Sequence, residues 1–99
     1  MKFMVFKNDL RMAAKISRIL DKENIKYKQQ YDNNMFIFSI LKDKISFPRI
    51  FISNGDIEFE KTNIKIDYEF WADEIESLII AWCQSKDIFN DVVLIRLGI

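Results

Sequence analysis

The dipeptide Asn54-Gly55 constrains the fold of this chain more than any other feature, because it separates two runs of alternating apolar and polar residues. A two-residue hairpin loop needs positive φ at both central positions, and Asn and Gly tolerate this conformation. The turn predicts an antiparallel register. Its pairs are Ser53 with Asp56, Ile52 with Ile57, Phe51 with Glu58, Ile50 with Phe59, and Arg49 with Glu60.

Because side chains alternate between the two faces of a strand, this register sorts the hairpin residues into two sets. Ile50, Ile52, Ile57 and Phe59 are expected to face the core. The opposite face then carries Phe47, Arg49, Phe51, Asp56, Glu58 and Glu60.

Apolar periodicity predicts the remaining elements. Strands are expected at residues 3–6, 25–31, 35–41, 64–68 and 92–97, with turns at 32–34 and 42–44. A first helix is expected at 10–24, with Asn8 and Asp9 as capping residues and Leu10, Ala13, Ile16 and Leu20 facing the core. A second helix is expected at about 70–85, with a core stripe of Trp71, Ile75, Leu78, Ile79 and Trp82.

These elements predict one α+β domain over residues 1–99, in the order β-α-β-β-β-β-β-α-β. The expected architecture is a two-layer sandwich, with two helices on one face of a mainly antiparallel sheet. Two strand-helix-strand units suggest a ferredoxin-like variant with inserted hairpin strands. A chain of 99 residues, 49% of them apolar, is large enough to form one core.

The composition argues against catalysis. The chain has no histidine, one cysteine (Cys83) and two glycines, Gly55 and Gly98. It therefore lacks the commonest general base, the usual zinc ligands and a glycine-rich phosphate loop. Asp56, Glu58 and Glu60 could hold Mg²⁺ on one strand face, but no lysine follows at nuclease spacing. We expect a protein that is not an enzyme and that has no metal site or cofactor.

Charge is unevenly distributed along a chain whose net charge is zero. Residues 1–30 carry eight basic and three acidic side chains, a net of +5, whereas residues 56–99 carry four basic and ten acidic ones, a net of −6. On the first predicted helix, a basic stripe falls within about 60° of the helix circumference. We define this basic stripe as Arg11, Lys15, Arg18 and Lys22.

Aromatic and arginine side chains ringed by charge are typical of an interface centre. The leading hypothesis is a protein-binding module whose partner contacts Phe47, Arg49, Phe51, Asp56, Glu58 and Glu60. The alternative is binding of a nucleic-acid backbone by the basic stripe. Homodimerisation through the hairpin face is a third alternative.

Cellular context is suggested by composition alone. The longest unbroken apolar run is residues 78–83, too short for a membrane span. The N-terminus lacks a signal-peptide pattern, and a single cysteine favours the cytoplasm. Phe, Tyr, Met, Ile, Asn and Lys are abundant, which suggests an AT-rich genome. These features would suit a phage or mobile-element inhibitor that occludes a host nucleic-acid enzyme.

Overall fold

A computed structural model of the protein describes residues 2–41, 48–62, 64–84 and 86–98. The described residues form one helix, five consecutive strands and two further helices. In chain order these are α1 (Lys2–Lys22), β1 (Tyr27–Asp32), β2 (Met35–Ile40), β3 (Arg49–Ser53), β4 (Asp56–Phe59), β5 (Ile64–Asp67), α2 (Ile75–Gln84) and α3 (Lys86–Leu97). A 3₁₀ turn, Ala72–Glu74, precedes α2.

The five strands form one antiparallel sheet in the order β1-β2-β3-β4-β5, so every strand pairs only with its neighbours in sequence. The predicted register from Ser53–Asp56 to Ile50–Phe59 is confirmed. Asn54 and Gly55 both have positive φ, 51° and 84°, as their turn requires. The β1–β2 turn is built the same way, with φ values of 52° and 60° at Asn33 and Asn34. The predicted turn at 42–44 lies outside the described residues.

All three helices contribute side chains to a single core cluster on one face of the sheet. Ile16 and Leu20 of α1 are fully buried in it, as are Ile50 and Ile52 of β3. The Phe59 ring packs against both α2 and α3. Its centroid lies 5.2 Å from that of Trp82 in α2 and 4.7 Å from that of Phe89 in α3. The α+β class and the antiparallel sheet are therefore confirmed, but the described residues form three helices and not the two predicted.

The predicted strands at the two ends of the chain are wrong. Residues 3–6 belong to α1, and residues 92–97 belong to α3. A short apolar run does not distinguish a buried strand from a buried helical turn, because periodicity is not measurable over so few residues. With these two strands absent from their positions, the predicted element order and its ferredoxin-like arrangement are not confirmed.

Helix α1 also differs from the prediction in its start and its buried face. It begins at Lys2, so Asp9 lies inside the helix and does not cap its N-terminus. Leu10, predicted to face the core, is 46% exposed, whereas Met12 and Ile19 are buried beside Ile16. The second helix fits its prediction better, since all five residues of the expected core stripe are buried.

Asp9 is the one buried charged side chain among the described residues. Its Oδ2 accepts the backbone N–H of Asn54 at 3.0 Å, and its Oδ1 accepts that of Gly55 at 3.1 Å. Oδ1 also accepts the hydroxyl of Tyr68, just beyond β5, at 2.8 Å. One carboxylate thus ties α1 to the β3–β4 turn and to the end of β5, with three donors compensating its burial.

Replacing Asp9 with alanine should lower the free energy of unfolding by about 3 kcal/mol. The change leaves buried donors without an acceptor, and each unsatisfied donor destabilises the folded state by about 1–3 kcal/mol. Urea denaturation followed by circular dichroism measures the change. Asp21→Ala, which removes an exposed carboxylate from the same helix, is the matched control and should stay within about 0.5 kcal/mol. Equal stabilities for the two variants would contradict the role of Asp9.

The hydroxyl of Tyr68 has an unusual environment. Burial, reinforced by the hydrogen bond to the Asp9 carboxylate, raises the pKa of Tyr68 well above the ordinary tyrosine range. Both causes favour the neutral phenol. The folded state therefore holds this proton at a pH where the unfolded chain releases it.

This difference predicts a loss of stability at alkaline pH. The contribution of Tyr68 is fully present below pH 10, the ordinary tyrosine pKa, and is lost as the pH rises above it. Between pH 10 and pH 12 the free energy of unfolding should fall more steeply for the parent protein than for Tyr68→Phe. Denaturant titrations of both proteins across this range make the comparison, and parallel slopes would contradict the prediction.

Candidate functional site

The candidate site is the sheet face that points away from the core cluster, here called the open face. Its members follow from the strand registers and the alternation of side chains. On β2 to β4 they are Met35, Ile37, Ser39, Arg49, Phe51, Ser53, Asp56 and Glu58, with Glu60 directly after β4; the outer strands add Lys28, Gln30, Asp32, Lys65 and Asp67.

An apolar pair occupies the middle of the open face. Ile37 of β2 lies directly opposite Phe51 of β3, which in turn lies opposite Glu58 of β4. Ile37 is only 8% exposed although it is outside the main core cluster, and Phe51 is half-buried. The open face therefore has a small apolar centre of its own.

Arg49 covers part of this centre. Its guanidinium carbon lies 5.1 Å from the centroid of the Phe51 ring, within the range of a cation–π contact. Its Nε donates a hydrogen bond to Oε2 of Glu60 on the neighbouring strand. Glu60 thus holds the exposed guanidinium over the ring, and the two charges are positioned before any partner arrives.

Carboxylates surround the apolar centre on the β4 and β5 side. Asp56 lies directly opposite Asp67, so two like charges are neighbours across the sheet, an arrangement that weakens strand pairing. Asp67 Oδ1 accepts the backbone N–H groups of Glu69 and Phe70, at 2.9 Å and 3.4 Å, which compensates part of its charge. Glu58 lies opposite Lys65, so this side carries three carboxylates, those of Asp56, Glu58 and Asp67, against one basic side chain and is acidic on balance.

Five of the six residues predicted for the partner-binding face are brought together here. Arg49, Phe51, Asp56, Glu58 and Glu60 share the open face, and Phe47 lies outside the described residues. Ile37 and Met35 were not predicted as part of it. The signal for Ile37 was present, because residues 35–41 are apolar on both faces, but the register between β2 and β3 was needed to place it beside Phe51.

The basic stripe of α1 is partly used within the fold. Lys15 Nζ donates to the carbonyl oxygen of Ala72 at 2.6 Å, and Lys22 Nζ donates to Glu76 Oε1 at 3.0 Å. The hydrogen bond and charge of Glu76 raise the pKa of Lys22. Arg11 and Arg18 are exposed. Half of the stripe therefore contacts the region that begins α2.

The described part of the chain contains no group of three or more acidic, histidine or cysteine side chains arranged to hold a metal ion. Cys83 is half-buried and lines a shallow pocket with Ile25, Lys26 and Leu41. None of the helices, as far as they are described, is long and apolar enough to cross a membrane.

The most exposed large apolar side chains of the described residues lie outside the strands of the sheet. Phe70, before α2, is 77% exposed, and Ile95 of α3 is 74% exposed. The prediction of a buried strand at residues 92–97 missed this exposure. Only Val93 in that run is fully buried, because the helix turns its neighbours outward.

Comparison with known proteins identifies no relative: no protein-family model matches the chain, and neither the curated proteins nor the solved structures provide a match. The geometry of the open face is therefore the basis for any functional assignment.

The half-burial of Phe51 predicts an intermediate contribution to stability. Phe51→Ala should lower the free energy of unfolding by about 1–2 kcal/mol, above the surface range and below the core range. The neighbouring residue Ile50 is fully buried, so Ile50→Ala is the matched core control and should cost about 2–5 kcal/mol. Chemical denaturation of both variants tests this ordering. A loss for Phe51→Ala as large as that for Ile50→Ala would make Phe51 a core residue.

Proposed function

We propose that the protein is a non-catalytic binding module that contacts a protein partner with the open face, centred on Phe51 and Arg49. The observation that carries the proposal is the apolar Ile37–Phe51 pair on the sheet face opposite the helices, with the Arg49 guanidinium stacked on it. A sheet whose second face were only solvated would have little reason to carry this pair.

The centre of the open face has the properties of an interaction hot spot. Aromatic and arginine side chains dominate binding energy when they lie in a desolvated centre surrounded by polar groups. Arg49 is held by Glu60 and by the Phe51 ring. Little side-chain freedom is left to be lost on binding, which favours affinity.

The carboxylates indicate the charge of the partner. Asp56, Glu58 and Asp67 extend from the apolar centre across β4 and β5, and acidic groups at an interface rim favour a basic surface. A basic, phosphate-binding channel is such a surface. This supports the narrower proposal of an inhibitor that occludes a nucleic-acid enzyme. The AT-rich composition and the single cysteine are the basis for proposing a phage or mobile-element origin and the host cytoplasm as the location.

Nucleic-acid binding through the basic stripe has less support. Lys15 and Lys22 already bond to Ala72 and Glu76, and although Lys22 remains exposed, its charge is paired with that of Glu76, which leaves the charges of Arg11 and Arg18 for phosphates. Two arginines neutralise few phosphates.

The test is crosslinking from defined positions, followed by affinity measurement. A photo-crosslinking amino acid at position 51 should capture one protein in cells of the source organism, and the same group at position 18 should not. With the captured protein purified, Phe51→Ala should weaken binding by at least about 30-fold, as expected of a hot spot. Arg49→Glu should do the same.

The matched control is the double variant Arg11→Glu/Arg18→Glu, which should bind with nearly unchanged affinity. The opposite pattern would assign binding to the basic stripe: Phe51→Ala would keep its affinity, the double variant would lose binding, and the affinity of the parent protein would fall steeply with salt. Circular dichroism of every variant separates loss of binding from loss of fold.

A further inference from the structure

The outer edge of β1 presents backbone groups that its neighbour β2 does not use. The N–H of Leu41 donates to the carbonyl of Lys26 at 2.9 Å, which makes Lys26–Leu41 a hydrogen-bonded pair. Such pairs alternate along an antiparallel ladder, so Lys28, Gln30 and Asp32 bond to β2. The backbone N–H and C=O groups of Tyr27, Gln29 and Tyr31 therefore point away from the sheet.

The edge of β1 is less protected against pairing than the opposite edge, although its Lys28 and Asp32 are charged and exposed. Every residue from Lys28 to Asp32 is exposed, and the strand has six residues without proline. The opposite edge, β5, has four residues, of which Lys65 and Asp67 are charged and exposed. Natural sheets protect their edges by short strands, charges or proline, and the outward-bonding positions of β1 are uncharged.

We propose that β1 pairs antiparallel with β1 of a second copy of this chain, in a register centred on Gln29. Gln29 then lies opposite Gln29 of the second copy, and Tyr27 opposite its Tyr31. The two sheets join into one, and the two-fold axis perpendicular to it keeps the helices of both copies on the same side.

Charge supports a second copy as the occupant. The register centred on Gln29 places Asp32 opposite Lys26 of the second copy, and Lys26 opposite its Asp32. No like charges face each other. Opposite charges across a strand pair stabilise it, whereas like charges weaken it.

The two registers shifted by one residue in either direction are less favourable. A register centred on Lys28 places two lysines directly opposite each other. A register centred on Gln30 leaves the backbone groups of Tyr27 without a partner strand, because they would meet the turn residue Asn33. The sequence of β1 is thus most self-complementary about Gln29.

The first test uses a proline that leaves the β1–β2 ladder intact. The N–H of Gln29 makes no bond to β2, so Gln29→Pro removes only an outward donor, as edge strands tolerate. Sedimentation equilibrium should show a concentration-dependent dimer for the parent protein and a monomer for Gln29→Pro. Gln29→Val keeps the N–H group and should dimerise like the parent. Circular dichroism confirms the fold of each variant.

The second test exchanges charges. Lys26→Asp alone and Asp32→Lys alone place like charges opposite each other, and each should raise the dimer dissociation constant by at least about tenfold. An equimolar mixture of the two variants should associate again, because every Asp then meets a Lys. A monomeric parent, a dimer that persists in Gln29→Pro, or a mixture without recovery would each overturn the proposal.

Discussion

The position of α1 on the sheet depends on the carboxylate of Asp9. This side chain accepts the turn amides of Asn54 and Gly55 and the hydroxyl of Tyr68. An unpaired buried carboxylate would be strongly unfavourable, so the helix, the turn and the end of β5 must keep their relative positions. The turn that sets the hairpin register is the same turn that the helix binds. Register and helix placement are therefore coupled through one side chain.

The uneven charge distribution along the chain is partly neutralised by the fold. Lys22 of the basic N-terminal segment pairs with Glu76 of α2 at 3.0 Å. Within the acidic segment, Arg96 of α3 pairs at 2.7 Å with Glu74, in the 3₁₀ turn before α2. Exposed pairs of this kind contribute little stability, but they turn both acidic side chains toward the other helices. The acids of the open face lie on the other side of the sheet from these pairs.

The elements with strong local signals could be predicted from the sequence, and those governed by distant contacts could not. Asn54-Gly55 determines the β3–β4 register by turn chemistry alone, and Trp71 to Trp82 shows a clear helical period. The helical state of residues 3–6 and 92–97 could not be predicted, because apolar runs of four to six residues are too short to reveal their period. For the candidate site, the shared face of Arg49, Phe51 and Glu58 follows from the turn. The neighbour Ile37 depends on the pairing of β2 with β3, and residues 41–48 separate those strands in sequence.

The meander topology has a consequence for the order in which the protein folds. Every strand pairs with its neighbour along the chain, so each hairpin can close over a short loop, a step of microseconds. Docking of α1 instead requires Asp9 to meet residues 45 to 59 positions away, at a larger entropy of loop closure. The binding site for Asp9 does not exist until the β3–β4 turn has formed. We therefore expect the sheet to form before the helix docks, so that α1 reaches its place after strands that follow it in the chain.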